Sequence, residues 1–281
     1  MTSEAPNRLL DALTEPQREA VLHTVGPLLV LAGPGSGKTR VITHRIAHLV
    51  DQGERASSVL ALTFTNKAAG EMRRRVQALM PDPDEAARIV AGTFHSFGAR
   101  VLRRYATEAG VPADFTVLDP DDQTKACKQA ITESGEALDR FSPKTVLSEI
   151  SGFKDMLITP DIAQSQAQDW RARVIESLYA AYEKVLLRSS SLDFDDLLCR
   201  TANLLRTNEA VREQLQARFR NMLVDEYQDT NHAQFCTVLE LAKSHRRLCV
   251  VGDPDQSIYG WRGADLRNIL KFEEHFPDAI V

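Results

Sequence analysis

The sequence has few of the residues that mark disulfide-rich, zinc-binding or membrane proteins. It contains only 4 cysteines in 281 residues, and no two are arranged as C-x-x-C, so we expect reduced thiols and no zinc site. No apolar run approaches the length of a membrane-spanning helix. The amino terminus lacks a basic-then-apolar signal pattern, so the sequence predicts a cytoplasmic protein without membrane association.

Positive charge is also not in excess. The chain has 34 Lys and Arg against 39 Asp and Glu, a formal net charge of −5, so its bulk charge does not indicate a nucleic-acid partner. Short basic runs such as Arg73-Arg74-Arg75 nevertheless occur. Because proteins that bind single strands combine a local basic groove with stacked aromatic rings, the net charge does not exclude DNA.

Short apolar runs alternate with segments of helical period over most of the chain. The runs are Leu28–Ala32, Val59–Phe64, Ile89–Ala91, Met222–Val224 and Leu248–Val251. Buried runs that alternate with amphipathic helices are typical of a parallel sheet covered by helices on both faces. The sequence therefore predicts an α/β fold.

Residues from about 107 to 192 interrupt the alternation. Their apolar spacing, as in Val146, Ile150 and Phe153, is helical. We therefore predict the first part of an α/β domain over 1–106, an inserted helical subdomain over 107–192 and the second part of the α/β domain over 193–281. The final segment FPDAIV begins like another strand, so we expect the chain to be a fragment of a longer protein.

The segment AGPGSGKT lies between a predicted strand and a predicted helix, as a Walker A phosphate loop does. Its glycines would let backbone N–H groups surround phosphate oxygens at the helix N-terminus. Lys38 would reach the β- and γ-phosphates, and the hydroxyl of Thr39 would bind Mg²⁺. The alternative is a glycine-rich turn without a ligand. The predicted loop consists of Ala32, Gly33, Pro34, Gly35, Ser36, Gly37, Lys38 and Thr39, with Ala32 where the motif usually has glycine.

A second acidic element follows the apolar run of NMLVDEYQDTN. Asp225 at the strand end fits the residue that holds Mg²⁺, and Glu226 fits the general base that polarises the attacking water. The alternative is an exposed acidic turn before a helix. Together with the phosphate loop, this element favours ATP hydrolysis with Mg²⁺ over nucleotide binding alone.

Seven segments occur in an order that one family shares. They are TEPQREAV (14–21), AGPGSGKT (32–39), LALTFTNKAAGEM (60–72), GTFHSFG (92–98), LDFDDLL (192–198), DEYQDTN (225–231) and VVGDPDQSIYGWRGA (250–264). Over essentially its whole length the chain resembles the amino-terminal half of the UvrD/Rep/PcrA-type superfamily 1A DNA helicases. The resemblance implies a P-loop NTPase (RecA-like) motor domain with an inserted helical subdomain, and a second motor domain that this chain lacks.

The resemblance also implies roles for single residues at the nucleotide. Gln17 would read the adenine, and Arg40 would lie near the base and sugar. Gln256 would sense the γ-phosphate and join Lys38, Thr39, Asp225 and Glu226 in the catalytic set. The implied cofactors are ATP and Mg²⁺.

A further set of residues would contact single-stranded DNA if the resemblance holds. It consists of Phe64, Thr65, Asn66, His95, Tyr259, Trp261 and Arg262. Tyr259 and Trp261 would stack on bases, and such stacking does not depend on the base sequence. For Trp261 the alternative is a ring that fills the core, and for His95 it is an ordinary turn residue.

The predicted function is that of an ATP-dependent DNA helicase acting on single strands and duplex junctions in repair or replication. A 3′ to 5′ polarity rests on the resemblance alone. Two alternatives stay open: a P-loop ATPase that unwinds nothing, and a DNA-binding module without turnover. We expect the fragment by itself to bind ATP weakly and to be weak or inactive as an enzyme.

Overall fold

The computed structural model describes residues 9–136, 140–166, 169–257 and 263–281. The chain forms two compact units. Unit 1 comprises residues 1–94, 212–231 and 238–281, and unit 2 comprises 95–211 and 232–237. The three-part division into domains stays a prediction.

Seven strands lie within the described residues. They are β1 (Leu28–Leu31), β2 (Val59–Thr63), β3 (Val90–Thr93), β4 (Thr116–Val117), β5 (Ser191–Leu192), β6 (Asn221–Val224) and β7 (Leu248–Gly252). The described ranges also contain three short 3₁₀ helices, Ala56–Ser58, Tyr227–Asp229 and Pro254–Gln256.

The α-helices of the described residues are numbered in chain order. They are α1 (Glu15–Leu22), α2 (Lys38–Asp51), α3 (Asn66–Leu79), α4 (Pro83–Ala87), α5 (Phe94–Arg104), α6 (Ala106–Ala109), α7 (Pro120–Glu133), α8 (Pro143–Asp155), α9 (Pro160–Gln166), α10 (Trp170–Arg188), α11 (Phe194–Thr207), α12 (Glu209–Arg218), α13 (His232–Ala242), α14 (Arg267–Leu270) and α15 (Phe272–His275).

Unit 1 is built on a parallel sheet of five strands in the order β1-β7-β6-β2-β3. Leu28 lies opposite Cys249, and Leu62 lies opposite Val224. Every residue of the three inner strands β7, β6 and β2 is buried, as expected of a sheet covered on both faces. The predicted parallel sheet flanked by helices is confirmed. The five apolar runs predicted as strands coincide with β1, β2, β3, β6 and β7 to within two residues at each end.

Helices α2 and α3 pack on this sheet through the apolar faces that the sequence predicts. Ile42 and Ile46 of α2 and Met72 and Val76 of α3 share one core with Ala61 of β2. Fixing α2 against the sheet also fixes its first residue, Lys38, at the end of β1. The sheet thereby determines where the phosphate loop lies.

Unit 2 is mostly helical, as the sequence predicts. Its largest core is formed by α7, α8, α9 and α10, with Ile150, Leu178 and Tyr182 fully buried. The run FTVLD contains β4, which pairs in parallel with β5. This small sheet connects the segment before α7 with the segment before α11.

All four cysteines are buried and free, which agrees with the expected reduced thiols. Over the described ranges, no helix combines the length and the hydrophobicity needed to cross a membrane.

Candidate active site

The carboxyl ends of β1, β7 and β6 meet at one edge of the parallel sheet. Such an edge is where open α/β sheets bind their ligands. The glycine-rich loop follows β1, Asp225 follows β6, and Asp253 follows β7. Segments far apart in the sequence are therefore neighbours here.

The glycine-rich loop is shaped to surround an anion. Gly35 and Gly37 have φ values of 73° and 88°, in the left-handed region that favours glycine. Ser36 closes a turn by donating its hydroxyl to the carbonyl of Gly33 at 2.7 Å. Helix α2 has no side-chain cap at Gly37, so its first N–H groups are left for a ligand.

Lys38 is the first residue of α2 and directly follows this loop. Its Nζ is buried and has no hydrogen bond within the described part of the chain. The nearest carboxylate oxygen is Oε2 of Glu226, at 3.9 Å. Because buried ammonium groups are costly unless paired, this arrangement indicates that an anion completes the site.

Gln17 packs directly on the loop. Its side-chain amide donates to the carbonyl of Ser36 at 2.7 Å and accepts from the backbone N–H of Thr14 at 3.1 Å. A Cβ added at Gly37 would lie only 2.7 Å from Nε2 of Gln17. Arg40 donates to the carbonyl of Ala12 at 3.3 Å. Both residues lie at the phosphate loop, while their contacts with adenine or sugar stay a prediction.

The acidic pair lies at the end of β6. Asp225 is buried, and its N–H continues the sheet by donating to Leu62 at 2.9 Å. Burial and the neighbouring Glu226 raise the pKa of Asp225 to about 6. Glu226 has a φ of 52°, which is uncommon for a residue other than glycine and typical of functional sites.

Asp253 at the end of β7 is a member of the site that sequence reasoning missed. It accepts a hydrogen bond from the side-chain amide of Gln256, and this bond holds the pKa of Asp253 below its usual value. A Cβ added at Gly33 would lie 3.9 Å from Oδ2 of Asp253. The predicted sensor Gln256 therefore contacts a carboxylate that lies close to the phosphate loop. The sequence signal for Asp253 was a carboxylate directly after an apolar run.

The side chains at this edge of the sheet fit a Mg²⁺ ion that takes its other ligands from phosphate oxygens and water. No cluster of three or more His, Cys, Asp or Glu side chains that could bind a metal occurs among the described residues. One buried carboxylate with a raised pKa is present in Asp225, and Mg²⁺ commonly takes only one or two protein ligands beside phosphate oxygens and water. The hydroxyl of Thr39, in the first turn of α2, is the second candidate ligand.

The predicted DNA-contacting residues fall into three groups. Phe64, Thr65 and Asn66 join β2 to α3, and Thr65 caps α3 by accepting from the N–H of Ala68 at 3.1 Å. His95 belongs to unit 2. Tyr259, Trp261 and Arg262 lie outside the described residues, so their roles stay predictions.

His95 has a neighbour that sequence reasoning also missed. The ring of Phe194 lies edge-on to the imidazole, with centroids 5.6 Å apart and planes inclined by 68°. Phe194 is 49% exposed although large aromatic residues are mostly buried. The sequence signal for Phe194 was its position in the segment LDFDDLL, one of the seven that the family shares.

The comparisons with known proteins point to one family. Residues 13–277 match the family model described as UvrD/REP helicase N-terminal domain. The chain is 47% identical over 274 residues to proteins named ATP-dependent DNA helicase PcrA from Staphylococcus aureus strain Mu50 and Staphylococcus epidermidis strain RP62A. The match covers 97% of this chain and 37% of each relative, so the chain spans just over a third of their length.

Proposed function

Because this chain belongs to the UvrD/REP helicase N-terminal domain family, we propose that it supplies the ATP-hydrolysing motor of a DNA helicase. The observation that carries the proposal is the buried Nζ of Lys38, which lies 3.9 Å from Glu226 and has no hydrogen-bond partner among the residues that the structure describes. A γ-phosphate placed there would pair the cation and lie next to a carboxylate. This is the arrangement that phosphoryl transfer to water requires.

Each residue of the proposed site has a distinct task. Lys38 neutralises the β- and γ-phosphates, and the uncapped N-terminus of α2 binds their oxygens. Glu226 accepts the proton of the attacking water. Thr39 and Asp225 would hold Mg²⁺, which neutralises charge on the phosphates when bound. Gln17 and Arg40 bind the adenine and sugar, and Gln256 senses the γ-phosphate.

The proposed partner is single-stranded DNA at a duplex junction. We expect Phe64, Thr65, Asn66 and His95 each to contact DNA, and we propose the same for Tyr259, Trp261 and Arg262. We propose movement in the 3′ to 5′ direction, a cytoplasmic location and a role in DNA repair or replication.

The proposal is tested by measuring ATP hydrolysis in the full-length protein with and without single-stranded DNA. We expect DNA to increase turnover and Lys38→Ala to lower it by at least about 10²-fold, because charge stabilisation on the transferring phosphate is lost. The matched control is Lys271→Ala, which removes an exposed lysine paired with Glu274 in unit 1. Turnover that DNA leaves unchanged would favour a P-loop ATPase of another kind, and equal turnover in Lys38→Ala would contradict the assigned site.

Phe194 should contribute to DNA binding by stacking on a base. We expect Phe194→Ala to weaken single-strand binding by about 1–3 kcal/mol with little sequence preference, because every base offers a ring face. Fluorescence anisotropy with labelled homopolymers measures the effect. The control is Trp170→Ala, which removes another exposed ring of unit 2, one that contacts Arg140 and Phe141. Equal losses in both variants would count against a specific role for Phe194.

A further inference from the structure

The side chain of Gln228 connects two parts of the site. It lies in the 3₁₀ helix after β6 and is 1% exposed. Its Oε1 accepts from the backbone N–H of Asp253 at 3.0 Å, and its Nε2 donates to Oε2 of Glu226 at 2.9 Å. A longer contact joins Nε2 to Oδ2 of Asp229 at 3.3 Å. One amide thus joins the acidic end of β6 to the first residue after β7.

The space around this amide leaves it little freedom. A Cβ added at Gly252 would lie 2.6 Å from Oε1 of Gln228 and 2.8 Å from Cδ1 of Ile269. Only a residue without a side chain can therefore occupy position 252 while the amide keeps its place. The glycine at the end of β7 and the glutamine after β6 form one packed unit.

The amide acts on two residues that the proposed function uses. Glu226 is in the left-handed region, so no regular helix or strand orients its side chain, and the bond from Gln228 fixes one carboxylate oxygen. On the other side, Asp253 accepts from Gln256, the proposed γ-phosphate sensor. Two hydrogen bonds therefore join the end of β7 to the carboxylate of Glu226, and a third joins Gln256 to Asp253.

We propose that Gln228 is a positioning residue for ATP hydrolysis, which keeps the carboxylate of Glu226 at a fixed spacing from the Asp253–Gln256 segment. This inference rests on the proposed function and adds a residue to its site. Glutamine is suited to the task because one side chain must donate on one side and accept on the other. Glutamate of equal length would offer only acceptors and place a second negative charge beside Glu226. Methionine would keep the length and lose both hydrogen bonds.

The test compares Gln228→Met and Gln228→Glu with the unsubstituted full-length protein. We expect kcat for ATP to fall by about 10²-fold in Gln228→Met and further in Gln228→Glu, because a small misplacement of a catalytic group costs about this factor. KM and the affinity for a non-hydrolysable ATP analogue should stay nearly unchanged, since the amide of Gln228 is bonded to Glu226, Asp229 and Asp253 and to no residue of the phosphate loop. The matched control is Gln216→Met, which removes an amide that donates to the carbonyl of Glu240 at 2.6 Å elsewhere in unit 1.

A double-substitution cycle separates positioning from a general structural effect. If Gln228 acts through Glu226, adding Gln228→Met to Glu226→Gln should lower single-turnover hydrolysis no further. An additional loss in that background would overturn the inference. Thermal denaturation of every variant checks folding. If Gln228→Met unfolds, Gly252→Ala provides the second route, since it displaces the amide and should reproduce the same kcat loss.

The two proposals fail in different ways. Absence of ATP turnover by the unsubstituted protein, both with and without DNA, overturns the proposed function and this inference with it. Normal turnover by the unsubstituted protein, with unchanged kcat in Gln228→Met, overturns only the role of Gln228. A rise in KM without a fall in kcat would do the same, because it would mean that the amide supports binding.

Discussion

Replacing Glu226 by glutamine is expected to slow ATP hydrolysis in the full-length protein by about 10²–10⁴-fold, the range that a positioned general base contributes. The substitution nearly keeps the shape of the side chain, and it removes the negative charge and the ability to accept the proton of water. Nucleotide binding should persist, because Lys38 and the uncapped N-terminus of α2 are untouched. The pairing of Lys38 with a carboxylate at 3.9 Å is weak enough that its loss should not displace the lysine.

Two measurements check this expectation together. Steady-state hydrolysis gives the loss in kcat, and equilibrium binding of a fluorescent ATP analogue shows whether the site is intact. Glu240→Gln is a suitable control, since Glu240 is a partly buried carboxylate of unit 1 that lies 3.8 Å from Arg212. Near-normal turnover in Glu226→Gln would remove Glu226 from the role of general base.

Replacing Lys154 by methionine is expected to destabilise unit 2 by about 3–5 kcal/mol. Lys154 is 1% exposed, and its Nζ lies 2.8 Å from Glu183, 2.9 Å from Asp193 and 3.0 Å from Asp196. Burial alone would lower the pKa of Lys154, but the three carboxylates outweigh it and raise the pKa well above its usual value. Without the lysine, Arg200 is the one cation that the described residues pair with this cluster, through Glu183 and Asp196, so buried negative charge would be left unpaired.

Urea denaturation measures this loss, and hydrogen exchange over residues 95–211 assigns it to unit 2. Lys125→Met is the control, because Lys125 is an exposed lysine of the same unit, paired with Asp122 at 2.7 Å, and such pairs contribute at most about 1 kcal/mol. Adding Asp193→Asn to Lys154→Met should restore part of the stability, since it removes one unpaired charge and keeps the cap of α11. Equal losses in Lys154→Met and Lys125→Met would contradict the assigned role of the cluster.

The elements that local pattern determines could be predicted from the sequence. Helix α3 runs from Asn66 to Leu79, and its buried residues Ala69, Met72 and Val76 recur at helical spacing. The inner strands are continuous apolar runs because both faces of the sheet are covered. The phosphate loop and the acidic pair were recognisable because each directly follows such a run.

Contacts between distant segments could not be predicted in the same way. The hydrogen bond from the N–H of Asp253 to the side chain of Gln228 requires β6 and β7 to be neighbours, and the strand order β1-β7-β6-β2-β3 does not follow the order of the chain. Lys154 lies at helical spacing from Val146 and Ile150, where a lysine is ordinarily expected at the solvent edge. Its burial depends on ion pairs with Asp193 and Asp196, about forty residues away. A local sequence pattern cannot show that these two carboxylates pair with Lys154.

The central claim is that the phosphate loop of this chain drives the separation of DNA strands, and strand separation by the full-length protein tests it most directly. We expect ATP-dependent unwinding of a duplex that carries a 3′ single-stranded tail, and none by Lys38→Ala. A duplex with only a 5′ tail should stay paired, because the proposed direction of movement leads away from the junction. Hydrolysis of ATP without separation of any tailed duplex, or equal unwinding by Lys38→Ala, would contradict the account.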